Sequence, residues 1–245
     1  GKIPFSDSLS IANYDKILEM VNQTIVTNIG FSFFRTISMK RDLAGYLEGT
    51  LPIVMMFMSR HNYDILNINP VIINDEGFFE VSQPESEYAY TMNKDFGDAY
   101  EIIYKNSDDK FNRKLYYLSM DVCDSAINEQ TFGLMMQNYF ANQTTFLKAA
   151  SYLLDRPQFS IIKQMILANS YKILSGPSGM QYRDFDETWN IKLYGNYVGP
   201  IRLFYDRQQP ELKEAYKNGN PEKIDFLFDY TTGSPSLFIA TKKSE

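Results

Sequence analysis

Two aspartates are the side chains of this sequence best placed to do chemistry. Asp121 and Asp124 stand at the end of the apolar stretch that finishes at Val122, where a strand often presents polar groups to a ligand. Two such carboxylates can work as general acid and general base, or bind a hard cation such as Ca²⁺ through oxygen. The alternative, which we favour, is that they cap the loop and the following helix, as aspartate commonly does.

An arginine and a group of tyrosines offer a second kind of chemistry, which is recognition. Arg183 follows the Gly-rich segment 175–179. A guanidinium can hold a carboxylate or phosphate by two parallel hydrogen bonds, but it also serves as a structural partner of a buried acid. Tyr194, Tyr197 and Tyr205 surround a second Gly-rich bend. They either line an aromatic groove for a glycan or peptide or, as we favour, fill the core.

Histidine and cysteine are scarce, which limits the enzyme classes open to this chain. The 245 residues include one histidine, His61, and one cysteine, Cys123. The chain therefore cannot build a Cys/His zinc site or an internal disulfide from its own residues. His61 ends an apolar helix, and no Gly-x-Ser-x-Gly elbow accompanies it. The sequence thus predicts no metal site and no cofactor, and only Asp121, Asp124 and His61 are catalytic candidates.

The overall charge and the longest apolar run exclude two classes of partner. The net charge is −6 with an isoelectric point near 5.0, and the basic residues form no run. A nucleic-acid ligand is therefore not expected, because phosphate neutralisation needs a basic stripe. The longest strongly apolar run, 51–58, is far shorter than the roughly 20 residues of a membrane helix. We expect no membrane span in this chain.

Helical periodicity dominates two stretches of the sequence. Residues 8–61 predict helices, the last of which begins after Thr50, carries Pro52 in its first turn and is apolar all round, as expected of a helix central to the core. Residues 128–174 predict helix again, ending at the stop signal Ser175-Gly176-Pro177. A short helix is expected over 210–217, with a stop at Asn218-Gly219.

Alternating patterns predict strands between and after these helices. Short strands are expected over 64–68, 71–74 and 78–81, with Asn74-Asp75-Glu76-Gly77 as a hairpin turn, and a polar loop over 82–97. The clearest strands are those around Tyr100–Tyr104, 114–122, Trp189–Tyr194 and a final hairpin of 224–230 with 237–241. On the predicted strand 114–122, the apolar face consists of Tyr116, Leu118, Met120 and Val122.

The order of these elements predicts the fold class. Helical blocks interspersed with hairpins are typical of an α+β fold, with a largely antiparallel mixed sheet flanked by helices. The alternative is an α/β fold, which regular strand-helix alternation would favour. We expect a single domain over 1–245, with a helical N-terminal part over about 8–61 and a β-rich C-terminal part over about 186–242.

Several short motifs, taken together, resemble a family of exported bacterial cell-envelope proteins of unassigned function. The motifs are Ser32-Phe-Phe-Arg-Thr36, Leu51-Pro52, Leu115-Tyr-Tyr-Leu-Ser-Met-Asp121, Lys148-Ala-Ala-Ser-Tyr152, Gly179-Met-Gln-Tyr-Arg183 and Trp189 through Pro200. Members carry a further amino-terminal region, so this chain resembles their later part. They also tend to have an acidic pair where this chain has Gly176-Pro177-Ser178. The resemblance implies export to the periplasm or cell surface, with the targeting segment preceding this chain, and it implies no reaction.

The functional prediction follows from missing catalytic signatures, abundant tyrosine and this resemblance. We expect a non-catalytic envelope protein that binds a glycan, a peptide or another envelope protein through Tyr117, Asp121, Arg183 and Tyr194. The alternative is a carboxylate-dependent hydrolase of an envelope glycan or peptide polymer that uses Asp121 and Asp124, with Arg183 holding the substrate.

Overall fold

A computed structural model describes residues 51–82, 98–147, 151–200, 204–226, 228 and 235–243. The helices predicted before residue 51 and most of the loop predicted over 82–97 lie outside the described residues. The described part forms two four-stranded sheets and four α-helices, which we number in chain order.

The first sheet is built from two antiparallel hairpins in the order β2-β1-β3-β4. Helix α1 (Leu51–Arg60) leads into the long strand β1 (Tyr63–Ile73), and β2 (Phe79–Val81) folds back on its end. The predicted turn is confirmed: Gly77 has a φ of +79°, and an added Cβ would lie 2.5 Å from the backbone nitrogen of Met135. The strands predicted over 64–68 and 71–74 are one continuous strand with a register shift near Asn67.

The second hairpin consists of β3 (Asp98–Asn106) and β4 (Arg113–Ser119). It confirms the predicted strand pair and its turn. The predicted apolar face is confirmed as well, since Leu118 and the following Met120 and Val122 pack against the main core. Strand β4 ends at Ser119, so Asp121 and Asp124 lie in the loop after the sheet and not on the strand itself.

Helix α1 is less buried than its composition predicted. Only Ile53 and Met58 are buried, and its other apolar residues are half-buried. The helix is apolar all round, as predicted, but among the described residues it is not central to the core.

The helix predicted over 128–174 is interrupted by strands. Helix α2 (Glu129–Phe140) gives way to β5 (Gln143–Leu147), and α3 (Ser160–Asn169) runs directly into β6 (Ser170–Ser175). Two short 3₁₀ turns, 153–155 and 157–159, lie between β5 and α3. Ile173 has helical spacing from Ile166 but is buried on β6. Because α3 and β6 contribute to the same core, their apolar residues follow one continuous spacing, and the prediction read it as a single helix.

The second sheet has the order β5-β6-β8-β7, and its β5–β6 pair is parallel. Strand β7 (Trp189–Gly195) and helix α4 (Pro210–Asn218) match their predictions, and β8 (Ser236–Lys242) pairs with both β6 and β7. The C-terminal hairpin prediction is wrong in its pairing, because β6 and β7 occupy both edges of β8. Residues 227 and 229–234 of the predicted hairpin lie outside the described residues. Strand β8 pairs instead with two strands that come earlier in the chain, β6 and β7.

One apolar core joins the two sheets. It contains Ile73 of the first sheet, Met135 of α2, Ile166 of α3, and Ile173 and Ala240 of the second sheet. A smaller cluster of Tyr197, Leu212, Tyr216 and Phe238 packs α4 on the second sheet. Phe238 and Ala240 are two residues apart on β8, so α3 and α4 cover the same face of that sheet. The architecture is an α+β fold with mostly antiparallel sheets, as predicted, although with two sheets in place of one.

Candidate functional site

Asp124 is tied to the start of helix α3. One carboxylate oxygen, Oδ2, accepts hydrogen bonds from the backbone N–H and the hydroxyl of Ser160 at 3.2 and 2.7 Å, and Oδ1 accepts one from the backbone N–H of Ile161 at 3.0 Å. Partial desolvation raises the pKa of Asp124, but these hydrogen bonds lower it by a larger amount. The pKa of Asp124 is therefore below its ordinary value. The side chain is an ionised helix cap whose residue lies 36 positions before Ser160 in the chain.

Asp121 has a separate and local role. Its Oδ1 accepts a hydrogen bond from the backbone N–H of Cys123 at 3.0 Å, and hydrogen bonding from Cys123 lowers its pKa. A general acid needs a raised pKa, whereas the pKa values of both aspartates are lowered. The geometry therefore supports capping roles for Asp121 and Asp124 and offers no support for an acid–base pair.

His61 lies just beyond α1 and is exposed. Its backbone N–H donates to the carbonyls of Phe57 and Met58, each at 3.1 Å, and Asn62 follows with a φ of 60°. Within the described residues no hydroxyl or carboxylate hydrogen-bonds its imidazole, and no group of three or more His, Cys, Asp or Glu side chains is placed to hold a metal ion. His61 therefore resembles a helix-end residue more than a base.

The four residues predicted to form one binding face are distributed over both sheets. Tyr117 lies on β4 opposite Tyr100, and Asp121 follows the same strand. Tyr194 lies on β7, where its carbonyl accepts a hydrogen bond from the hydroxyl of Tyr216. Among the described residues no hydrogen bond, ion pair or ring contact joins any two of Tyr117, Asp121, Arg183 and Tyr194. Of these four, Arg183 has the most informative surroundings.

Arg183 and Arg207 share a single carboxylate. Nη2 of Arg183 donates to Oδ1 of Asp155 at 2.5 Å, and Nη1 of Arg207 donates to Oδ2 at 3.3 Å. The side chain of Asp155 is 13% exposed, whereas those of Arg183 and Arg207 are 55% and 31% exposed. Nε of Arg207 also pairs with Oδ2 of Asp206 at 3.4 Å. Because a guanidinium has five N–H donors, both arginines retain donors beyond these contacts. These two arginines and Asp155 are called the arginine pair site below.

A buried loop supports this site. Residues 175–181 connect β6 to the turn that carries Arg183, and all seven are buried, which is unusual because loops normally run over the surface. Ser175 organises the loop: its hydroxyl donates to the carbonyl of Gly176 and accepts from the backbone N–H of Met180. Gly179 is required at its position because an added Cβ would lie 2.4 Å from the Ser175 hydroxyl.

Gln209 links the loop to helix α4. Its Nε2 donates to the carbonyl of Pro177 at 2.7 Å, and its Oε1 accepts from the backbone N–H of Tyr182 at 3.1 Å. The residue is 4% exposed and immediately precedes α4. Gln209 thus fixes the backbone on both sides of the site, because it lies two residues after Arg207 in the chain and binds the backbone of Tyr182, which precedes Arg183.

The segment 151–152, which is hydrogen-bonded to the buried loop, has unusual backbone geometry. Ser151 and Tyr152 both have left-handed conformations, with φ values of 55° and 56°, and Tyr152 is almost fully buried. Such conformations cost about 1–2 kcal/mol for each non-glycine residue. The backbone N–H of Tyr152 donates to the carbonyl of Ser178 at 2.8 Å, which anchors the segment on the buried loop. Backbone strain of this kind clusters at functional sites.

Four buried side-chain polar atoms in the described part of the chain lack a hydrogen-bond partner, and three of them are within two residues of Asp155 or Arg183 in the sequence. These three are Nε of Arg156, Nε2 of Gln181 and Oδ2 of Asp184. The other oxygen of Asp184 pairs with Lys163 at 3.1 Å. An unsatisfied buried polar group costs about 1–3 kcal/mol, and native proteins contain few of them. Their concentration around the Arg183–Asp155 ion pair marks this region as unusual.

The charge around the site differs from that of the chain. Ion pairs join Lys163, Arg183 and Arg207 to the acids Asp155, Asp184 and Asp206, and Arg156, which follows Asp155 in the chain, adds one positive charge to this set. The chain as a whole has a net charge of −6. Within this set of groups an anionic ligand would therefore meet a small net attraction.

Sequence reasoning singled out Arg183 but missed Asp155, Arg207 and Gln209. The signal available in the sequence was modest: three of the eight arginines, Arg156, Arg183 and Arg207, occur in the last ninety residues beside an aspartate. Among the tyrosines, Tyr197 is a core residue, as favoured, whereas Tyr205 is 75% exposed.

Comparisons with protein-family models, curated proteins and solved structures find no match to this chain. No helix in the described part of the chain is long and apolar enough to cross a membrane.

Proposed function

We propose that this protein is a non-catalytic binding protein of the bacterial cell envelope that recognises an anionic group of an envelope glycan or peptide through Arg183 and Arg207. The observation that carries the proposal is the pair of half-exposed guanidinium groups held on one nearly buried carboxylate, Asp155. This arrangement fixes both side chains while leaving N–H donors for a ligand.

The rigid support of the site favours recognition. Arg183 follows a fully buried loop that Ser175 and Gln209 fix by hydrogen bonds. Ordering a flexible arginine on binding costs up to about 1.5–2 kcal/mol of side-chain entropy, and a pre-positioned arginine avoids part of this cost. The arginine pair site is thus organised before a ligand arrives.

The non-catalytic part of the proposal rests on the carboxylates. Asp121 and Asp124 have lowered pKa values and are engaged by backbone N–H groups, so neither is a proton donor near neutral pH. The location at the cell envelope rests on the family resemblance of the sequence motifs and is part of the proposal.

The test is a binding measurement with two acidic probes, an oligosaccharide of galacturonic acid and a penta-glutamate peptide, and a neutral galactose oligosaccharide. We expect the protein to bind at least one acidic probe. The double change Arg183→Gln with Arg207→Gln should weaken that binding at least about 100-fold, because each of the two lost charge-assisted hydrogen bonds is worth about 1.5–3 kcal/mol and about 1.4 kcal/mol corresponds to ten-fold.

Arg113→Gln is the matched control. Arg113 is also 55% exposed and also pairs with an aspartate, Asp109, but it lies in the β3–β4 hairpin. Equal weakening by the control and by the double change would refute the site. Cleavage of a probe that disappears in Asp121→Asn would refute the non-catalytic role and favour the hydrolase.

A further inference from the structure

We propose that β5 is an interaction edge through which two copies of this chain pair as antiparallel strands, so that the second sheets of both copies become one continuous sheet. The order of that sheet is β5-β6-β8-β7, and among the described residues no strand pairs with the outer edge of β5. Unpaired N–H and C=O groups on such an edge are a template for another strand. This inference does not depend on the arginine pair site.

The other three sheet edges of the described structure carry features that prevent such pairing. Strand β2 has only three residues, and the middle one is Glu80. Strand β4 begins with two charged residues, Arg113 and Lys114. The outer side of β7 is occupied by Glu222, whose backbone N–H donates to the carbonyl of Leu193 at 3.0 Å. Short length, charge and cover are the means by which proteins protect their sheet edges.

The sequence of β5 lacks these protective features. The strand Gln143-Thr-Thr-Phe-Leu147 contains no charge, proline or glycine, and no charged residue occurs between Glu129 and Lys148. Its β-branched and aromatic residues favour strand pairing, and Phe146 is 66% exposed. Because the chain has a net charge of −6, two copies repel each other over most of their surfaces. An uncharged edge is therefore where two copies can meet with the least repulsion.

The backbone of β5 directs the polar groups of alternate residues to the open edge. The carbonyl of Leu147 accepts a hydrogen bond from the backbone N–H of Gly176 at 3.1 Å, so the polar backbone groups of Leu147 face β6. Successive residues of a strand point these groups to opposite sides, and the register with β6 is regular from Thr144 onward. The N–H and C=O groups of Thr144 and Phe146 therefore face away from β6.

These groups match a second copy related by a two-fold axis through Thr145. Thr144 then lies opposite Phe146 of the second copy, and each of the two symmetric pairs exchanges two hydrogen bonds. The ring of Phe146 packs beside the second copy's Thr144, which is a favourable aromatic and β-branched cross-strand pair. A strand edge of this length is far smaller than the roughly 800 Å² per partner of a standard interface. We therefore expect a weak dimer, with a Kd of about 10 µM to 1 mM.

Sedimentation equilibrium of the full chain at concentrations from about 10 µM to about 1 mM tests this proposal. We expect a monomer–dimer equilibrium for the native protein. Phe146→Lys should raise the dimer Kd at least about ten-fold, because it removes the ring and places a charge on the edge. Phe111→Lys is the matched control and should leave the Kd unchanged, since Phe111 is 81% exposed but lies in the turn between β3 and β4.

Thr144→Pro distinguishes strand pairing from a contact of the ring alone. Proline leaves Phe146 in place and removes an N–H that faces the open edge, so the ladder to β6 loses no donor. Two of the four hydrogen bonds across the two-fold axis are lost, which should also raise the Kd at least about ten-fold. An unchanged thermal unfolding midpoint for Phe146→Lys shows that its effect on association is not an effect on folding.

Three results would overturn the proposal. The first is a native chain that stays monomeric over the whole concentration range, which would leave the edge of β5 to a partner of another kind. The second is a dimer that Phe146→Lys does not weaken, and the third is equal weakening by Phe111→Lys. Binding of the acidic probes is measured separately, so the failure of this inference and the failure of the proposed function are distinguishable.

Discussion

Gln209 is the residue whose replacement tests most directly whether buried hydrogen bonds organise the arginine pair site. It is 4% exposed and bridges Pro177 and Tyr182 through both ends of its amide. Gln209→Leu keeps the volume nearly unchanged and removes the two hydrogen bonds. The carbonyl of Pro177 and the backbone N–H of Tyr182 then lose their partners in a region closed to water.

The size of the effect follows from these two groups. Each buried donor or acceptor left without a partner costs about 1–3 kcal/mol, so Gln209→Leu should reduce the free energy of unfolding by about 2–6 kcal/mol. That is a large part of the 5–15 kcal/mol typical of a folded protein. Because the loop would no longer be fixed, we also expect Arg183-dependent binding to weaken.

Urea unfolding followed by the fluorescence of the single tryptophan measures this change. Trp189 is 8% exposed and belongs to the main core, so its emission reports on loss of packing at the second sheet. Gln208→Ala is the control, because Gln208 is exposed and donates one hydrogen bond, to the carbonyl of Tyr205. A loss below about 0.5 kcal/mol for Gln209→Leu, or an equal loss for both variants, would contradict the structural reasoning.

The pH dependence of Gln209→Glu gives an independent check. This change keeps an acceptor for Tyr182 but removes the donor to Pro177 while the carboxyl is ionised. Burial beside a carbonyl raises the pKa of a carboxyl in the folded state, and protonation restores the donor. The stability of this variant relative to the native protein should therefore rise as the pH falls from 7 to 5, and a constant difference would contradict the assignment.

Three further changes test other contacts. Asp124→Asn should destabilise the protein at neutral pH. Because the pKa of Asp124 is lowered in the folded state, its contribution to stability is present above the ordinary aspartate pKa and is lost as the pH falls through the lowered value. The difference in unfolding free energy between variant and native protein, measured in urea, should therefore shrink in acid. Gly195→Ala should lower the melting temperature, since φ is +78° and a Cβ would clash with the carbonyl of Pro235, whereas Gly133→Ala in α2, with its nearest contact at 3.6 Å, should raise it. Tyr216→Phe should cost about 1–3 kcal/mol in the same unfolding assay, because the single hydroxyl proton is shared between the carbonyls of Tyr194 and Leu237. No change in any of these assays would contradict the contact concerned.

Elements bounded by strong local signals could be predicted from the sequence. The hairpin turn ending at Gly77, strand β7 and helix α4 with its stop at Gly219 all match. In each case a residue with a restricted or unusually free backbone lies at the boundary, and the apolar period on either side is unambiguous. Local chemistry was enough because no distant partner was needed to choose between helix and strand.

The prediction failed where a distant partner made that choice. Strand β6 continues the apolar spacing of α3, and only its parallel pairing with β5 and antiparallel pairing with β8 make it a strand. The partner of β8 was predicted as the preceding segment 224–230, but β8 lies between β6 and β7. Short apolar runs fit either structure, and pairing across the sheet decides.

By itself the sequence determined the α+β class, the scarcity of imidazole and thiol, and the acidic net charge, since these depend only on which residues occur and on their local spacing. Only the tertiary structure decided what the charged side chains do. Asp124 caps a helix that begins 36 residues later, and Asp155 receives arginines 28 and 52 residues away. Hydrogen bonds of this range depend on the path of the whole chain, because no local pattern specifies which buried carboxylate will meet which donor.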